Sequence, residues 1–436
     1  MELSRRRVLR LGALAATAPV LAACGSGAGN SAGKLKFAGW DYESALVEQN
    51  IKRFQQLNKD IQIAYTPVTS SSYVQKTVAE FTAGDGPDVL YVYDDSLAGW
   101  VDAGYLQPLD DLPGIDQLYG QIYPGNVEAM TYNGKRYALP YYTDSVCLVY
   151  NAAILAKAGI KNPPRSLPEL EAQAKKIQSA GILANPIGVS ALLQDTSWGW
   201  LWSLVFASGG DFFDAHGEPV MDKTPVAKDI VSWILKATNE TKIIDPSAIQ
   251  LTGQAIGTAM MTERYAFTFE SRYGVQLYND PKQSKAAGKF KIGYLPSLDG
   301  RVVGTMSTTR MYALAKETQA KDKAMKLLGY LGGVDSSGLP YTAKFWFLRK
   351  GLGFAYRSLE KDAEVQDALR KFVDPAVYSG IAAIAKPRSV NGQPWYGEYE
   401  HQQQATIQRV LSKQTTPEAA MTTLAQAART LKKKYA

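Results

Sequence analysis

From Lys34 onward the apolar positions switch between two periods. Leu35-Lys36-Phe37 alternates as a short strand; Val47, Ile51, Phe54 and Leu57 recur three and four apart, as on one face of a helix; Ile61-Gln62-Ile63-Ala64-Tyr65 returns to period two. A β-α-β unit is predicted. A further helical pattern through residues 73–83 breaks at Gly84-Asp85-Gly86-Pro87, and Asp88-Val89-Leu90-Tyr91-Val92 then reads as a buried parallel strand. That strand ends in Tyr93-Asp94-Asp95, which puts carboxylates at a strand's C-terminal end, where open α/β sheets bind their ligands.

A second α/β region begins near Tyr150. Ser166-Leu167-Pro168-Glu169 has the form of a capping box before a helix carrying Leu170, Ala174 and Ile177. A later strand, Tyr265 to Phe269, runs into Glu270-Ser271-Arg272. Helices close the chain, one over residues 321–331 and a last one capped by Thr415 or Thr416 with Pro417 at its start. No internal repeat is found.

The first 33 residues follow neither period. Ser4-Arg5-Arg6-Arg7-Val8-Leu9-Arg10 is basic, and the thirteen residues from Leu11 to Ala23 carry no charge. Such a run is shorter than the ~20 residues that span a bilayer, so residues 1–23 are expected to be a removable signal peptide. It ends in Leu21-Ala22-Ala23-Cys24, which resembles the lipobox of bacterial lipoproteins, in which the cysteine is diacylated. Two acyl chains anchor stably where one does not, so Cys24 is expected to hold the mature chain to the membrane. Ser4-Arg5-Arg6 also resembles a twin-arginine export signal, with Val8 in place of the usual phenylalanine; that route and general export both fit. Residues 24–33, rich in Gly, Ser and Ala, are expected to form a lipidated flexible tether.

The remaining body, about 400 residues, exceeds the ~250–300 at which a single core stops growing, so two lobes are expected. Removing residues 1–23 lowers the formal charge of the 436-residue chain from +7 to +4. With no basic stripe interleaved with aromatics, nucleic acid is not an expected partner. Cys24 and Cys147 are the only cysteines, and acylation of the first leaves no internal disulfide; Cys147, in an apolar run, is expected to be a buried thiol. His216 and His401 stand outside any metal-ligand spacing, and no nucleophile elbow or phosphate loop occurs. No metal, cofactor or catalytic residue is expected.

Aromatic residues instead gather beside carboxylates and amides at strand ends and loops. Trp40-Asp41-Tyr42-Glu43, Tyr93-Asp94-Asp95, Tyr141-Tyr142-Thr143-Asp144, Trp198-Gly199-Trp200-Leu201-Trp202 and Gln393-Pro394-Trp395-Tyr396 are the main groups. A sugar needs this mixture, because its C–H faces pack on rings while its hydroxyls meet charged hydrogen-bonding groups. Trp202 sits in an apolar helical run and reads as core; Trp198 and Trp200 read as the better surface candidates.

Several stretches in order and spacing resemble the extracellular solute-binding proteins of ATP-binding-cassette importers, in the branch that includes maltose-binding proteins. They are Gly86-Pro87-Asp88-Val89-Leu90 leading to Trp100-Val101-Asp102-Ala103-Gly104-Tyr105-Leu106, Asn133-Gly134-Lys135-Arg136-Tyr137-Ala138-Leu139-Pro140 followed by Tyr150-Asn151, Ser208-Gly209-Gly210, and Val303-Gly304-Thr305. The resemblance spans nearly the whole mature chain. It implies a two-lobed α/β fold of the type II periplasmic-binding-protein kind, each lobe a sheet flanked by helices. The lobes would be discontinuous, residues 34–141 with 304–350 and 146–301 with 351–436, joined by crossovers near 141–147 and 302–305. It further implies a monomeric receptor that is not an enzyme, a carbohydrate ligand in the interlobe cleft, and permease subunits as partners.

The ligand-contacting positions implied are Trp40, Asp41, Tyr42, Glu43, Asp94, Asp95, Tyr141, Tyr142, Asp144, Trp198, Trp200, Glu270, Ser271, Arg272, Arg310, Trp395 and Tyr396. Where relatives often carry Gly-Pro-Trp after the later strand, this chain has Ser271-Arg272. Arg272 reads either as a clamp on ligand hydroxyls or carboxylates or as an ion-pair partner of Glu270. Two other readings stay open at this level: a polyol phosphate read by Arg272 and Arg310, and a lipid-anchored glycosidase using two of Asp94, Asp95, Asp144 and Glu270.

Overall fold

A computed structural model describes residues 33–193 and 198–435. The signal segment 1–23, Cys24 and the tether up to Ala32 lie outside the described residues. The strands are β1 Leu35–Trp40, β2 Ile63–Val68, β3 Val89–Tyr93, β4 Thr131–Tyr132, β5 Lys135–Arg136, β6 Ala138–Asn151, β7 Ile187–Gly188, β8 Phe267–Ser271, β9 Phe290–Gly293, β10 Thr305–Leu314 and β11 Ala385–Lys386. The predicted β-α-β unit forms as β1, the helix Ser44–Leu57 and β2, paired in parallel, with β3 on the other side of β1.

The main sheet runs β2-β1-β3-β10-β6-β8-β7, with β11 beside β10 and β9 beside β6. Its organising element is β6. Over Ala138–Ser145 it pairs antiparallel with β10, and over Val146–Asn151 it pairs with β8 and β9, so one strand belongs to two halves of the sheet. Side chains on a strand alternate between faces, and here the faces feed different cores. Val146 and Leu148 enter one apolar cluster; Cys147 and Val149 enter the other.

The first cluster holds β1, β3 and the first part of β6, with Trp346, Phe354, Tyr356, Leu369 and Tyr378 packed on them. The second gathers Leu170, Ile177, Trp202, Ile230, Phe267, Tyr399 and Leu424 from β8 and the helices 167–179, 199–207, 225–239, 396–411 and 417–435. Residues 352–381 contribute to the first cluster, which also takes in Ile256, Met260, Tyr278, Phe290 and Ile292, so this cluster spans both stretches of chain that the sequence assigns to separate lobes. The helix Tyr341–Lys350 ends at Gly351 in the left-handed region, and the chain turns back to pack along β6 before entering the second cluster.

The local signals are used much as they read. The Ser166 hydroxyl accepts from the Glu169 N–H (3.2 Å), while the Glu169 carboxylate accepts from Arg165 N–H (2.7 Å), one residue before the position a reciprocal capping box uses. Thr416 caps the last helix, Pro417–Tyr435, which carries Lys432, Lys433 and Lys434 in its final turn. Cys147 is buried and free, and burial raises its thiol pKa. His216 and His401 are exposed.

Candidate ligand cleft

Trp40 ends β1 and Tyr93 ends β3. Because the two strands are parallel neighbours, their ends bring the rings together, stacked at 4.5 Å between centroids with 19° between planes. Tyr73 holds Trp40 edge-on at 5.6 Å, which fixes the platform from behind. Across the cleft, Trp200 lies nearly parallel to Phe269 (6.5 Å, 28°), and its indole N–H donates to the Ser190 carbonyl at 2.8 Å. The two pairs face a cavity of about 490 Å³, lined also by Tyr42, Glu270, Ser271 and Tyr273.

Two crossing strands make its floor. Tyr142, Asp144 and Val146 alternate along β6, and Met306, Thr308 and Arg310 alternate along β10, so each strand turns one face to the cavity. The two charged groups of that floor are already committed. Arg310 donates to Asp94 at 2.7 Å and lies 4.7 Å over the Tyr93 ring, while the other Asp94 oxygen accepts from the Thr309 N–H (3.0 Å). Burial opposes the Arg310 charge, but Asp94 and its neighbours raise its pKa. Asp144 accepts from Arg272 Nε (3.3 Å) and from the Ser145 and Tyr273 N–H groups (2.7 and 3.0 Å). Burial nevertheless raises its pKa above the ordinary carboxylate value. Burial also pushes the Tyr93 phenol up to about 12, so it stays neutral at physiological pH. The site offers aromatic faces, hydroxyls and carboxylates around two neutralised guanidinium groups.

The model of the bacterial extracellular solute-binding proteins matches residues 40–336. This chain belongs to that family. Such a protein binds solutes and is not an enzyme, so the glycosidase reading is set aside, and membership implies export. The maltotriose-binding protein of Pyrococcus abyssi is 31% identical over 149 residues, 32% of this chain and 29% of the relative. Among solved structures, the sugar-binding protein MalE of Xanthomonas citri superposes with a TM-score of 0.77 at 17% identity, covering 92% of this chain and 98% of that one. Maltose-bound MalE3 of T. maritima gives 0.74 at 23% identity, over 91% and 99%. At those identities the likeness shows the fold, the two-lobed type II periplasmic-binding-protein architecture.

The solute-binding protein brings eight of the sequence-derived positions to the cavity: Trp40, Tyr42, Tyr142, Asp144, Trp200, Glu270, Ser271 and Arg310. Asp94 stands directly behind, as the partner of Arg310. The others are placed elsewhere. Asp41 accepts from the backbone and hydroxyl of Ser70, Glu43 pairs with Lys350, and the exposed Asp95 accepts from the Ser96 hydroxyl. Tyr141 points to the opposite face from Tyr142 and packs in the first core against Tyr91 and Tyr312. Trp198 is not at the surface; it is buried with its indole N–H on the Leu192 carbonyl, and Trp200 is buried too, although one face reaches the cavity.

Trp395 and Tyr396 begin the helix Tyr396–Leu411, whose buried face carries them into the second core against Phe213 and Trp202. Arg272 pairs with Asp144, is 1% exposed and lies outside the cavity lining. Tyr273, Met306 and Thr308 are cavity residues the sequence reading left out, and Tyr93, named there only within an aromatic group, joins them. Period two from Arg310 finds Thr308 and Met306, and Tyr273 is the aromatic one residue beyond Arg272.

Proposed function

We propose that this solute-binding protein captures a sugar, a di- or oligosaccharide, between its lobes and delivers it to the permease of an ABC importer. The observation that carries the reading is the pair of aromatic platforms, Trp40–Tyr93 and Trp200–Phe269, facing one cavity with Tyr273, Glu270 and Arg310 between them. Rings on both walls suit the two apolar faces of a pyranose, and closing the lobes would bring them together. Maltose bound to T. maritima MalE3 and the maltotriose that names the P. abyssi protein support the same class. A diacylated Cys24 and the short tether behind it would keep the receptor beside its permease as a monomer. The lobes would be 34–141 with 304–350, and 146–301 with 351–436.

A thermal-shift and calorimetric panel tests the proposal. Maltose, maltotriose and other saccharides are expected to stabilise the protein saturably, by about 2.7 kcal/mol at a hundredfold excess over Kd. The sugar reading fails if no saccharide does so while an amino acid, a polyamine or a metal ion does. The polyol-phosphate alternative has less to stand on, since Arg310 and Arg272 are each held by a carboxylate. An anionic ligand would lose affinity with added salt, whereas a neutral sugar is expected to respond little.

A further inference from the structure

The cavity floor changes character along its length. On β6 the residues turned to the cavity are Tyr142, Asp144 and then Val146; on β10 they are Arg310, Thr308 and then Met306. Strand pairing sets Asp144 opposite Thr308 and Ser145 opposite Ser307, so Val146 and Met306 come next along the floor together. Charges and hydroxyls occupy one end of it, and two apolar side chains the other. Trp200 and Phe269, the nearly parallel rings of the second wall, complete the apolar end, and all four side chains belong to the second core.

The polar atoms of this end are bonded within the protein. The Met306 N–H donates to the Ser203 hydroxyl (3.2 Å), which donates in turn to the Gly199 carbonyl (2.7 Å). The Val146 carbonyl accepts from the Thr305 hydroxyl at 2.7 Å, and the Trp200 indole N–H is bonded to the Ser190 carbonyl. Gly199, the first residue of the helix Gly199–Ala207, leaves room for the Met306 side chain. Any side chain there would run into the Met306 methyl group and stand 3.8 Å from a Val146 methyl. Among the described residues, the one polar side chain beside the patch is Ser271, opposite Val146 on β8. A ring hydroxyl placed here leaves water for at most one partner, which is unfavourable, whereas a methyl, acyl or aryl group gains by burial.

We propose that the ligand is a glycoside with an apolar aglycone. Its sugar lies at the end of the cavity formed by Trp40, Tyr93, Tyr142 and Arg310, and its aglycone fills the end formed by Val146, Met306, Trp200 and Phe269. Met306 and Val146 are then specificity-determining residues, because they favour the substituted saccharide over the free one. The inference rests on the sugar reading and narrows it.

Calorimetry on the purified protein compares glucose, maltose and cellobiose with their phenyl glycosides. In each pair that binds, the phenyl form is expected to bind more tightly, by about tenfold. Equal affinities, or a tighter free sugar, overturn the proposal and leave the sugar reading standing. If neither form of any sugar binds, the sugar reading falls and this inference falls with it. Met306→Gln and Val146→Thr, each close in size to the parent residue, put a polar group into the apolar end. Either is expected to cut the preference for the phenyl form by about threefold or more. A purely structural role would lower the melting temperature and leave that preference as in the parent, which also overturns the proposal. Should one variant not fold, the other decides, and if neither folds the parent comparison decides alone.

Discussion

Tyr273 shows how one residue acquires a role from its neighbours. It is half-buried, its N–H is fixed by Asp144, and it reaches the cavity between the two aromatic platforms. Tyr273→Ala is expected to weaken sugar binding about tenfold, about 1.4 kcal/mol, while leaving the melting temperature without ligand nearly unchanged. Calorimetry gives the answer, and an unaltered Kd would remove Tyr273 from the site. Residue type alone pointed to the right strand ends but not to the right side chains. Trp395 and Trp198 have the same chemistry as Trp40, yet both are buried among apolar residues of the second core. What separates them is direction, which composition does not carry.

Among elements, the crossing strands β6 and β10 do most to shape the cleft, because each presents alternate residues to it. That alternation is legible in the sequence once one member of the set is known. Loops that fasten the sheet are legible too. The Tyr265 hydroxyl, just before β8, donates to Asp245 at 2.6 Å. Burial would raise the Asp245 pKa, but the hydrogen bonds from Tyr265 and Ser247 more than offset it, so the folded value lies below the ordinary one. Stability from this carboxylate is therefore present above its unfolded pKa, about 3.9, and is lost as pH falls through the lower folded value. Tyr265→Phe is expected to cost about 1 kcal/mol at pH 7, a modest figure because Asp245 is partly exposed. The gap from the parent should narrow below about pH 4. Melting curves at pH 7 and pH 3 check this, and equal gaps at both would show that the bond does not depend on the charge.

For the whole molecule, two cores share one sheet, and the cleft lies where β6 and β10 pass from one to the other. The proposed anchor belongs to this scale. Cys24→Ala is expected to release the protein from the membrane with its ligand affinity unchanged, as fractionation followed by calorimetry would show. Continued membrane attachment would refute the anchor, and a fall in affinity would mean that the tether does more than confine.

Periodicity determined the α/β class, the β-α-β start and the strand ends that carry the site, because backbone geometry imposes periods of 2 and 3.6 on any buried face. The order of short motifs determined the family, and the length of the body required more than one core. The tertiary structure alone decided which aromatic residues meet across the cleft, since Trp40 and Trp200 are 160 positions apart and strand pairing joins them. It also packed residues 341–383 along β6 and turned Arg272 from an expected ligand contact into the buried partner of Asp144. Both depend on contacts between segments distant in the chain, and the energy of such a contact is fixed by burial and geometry that no local pattern encodes.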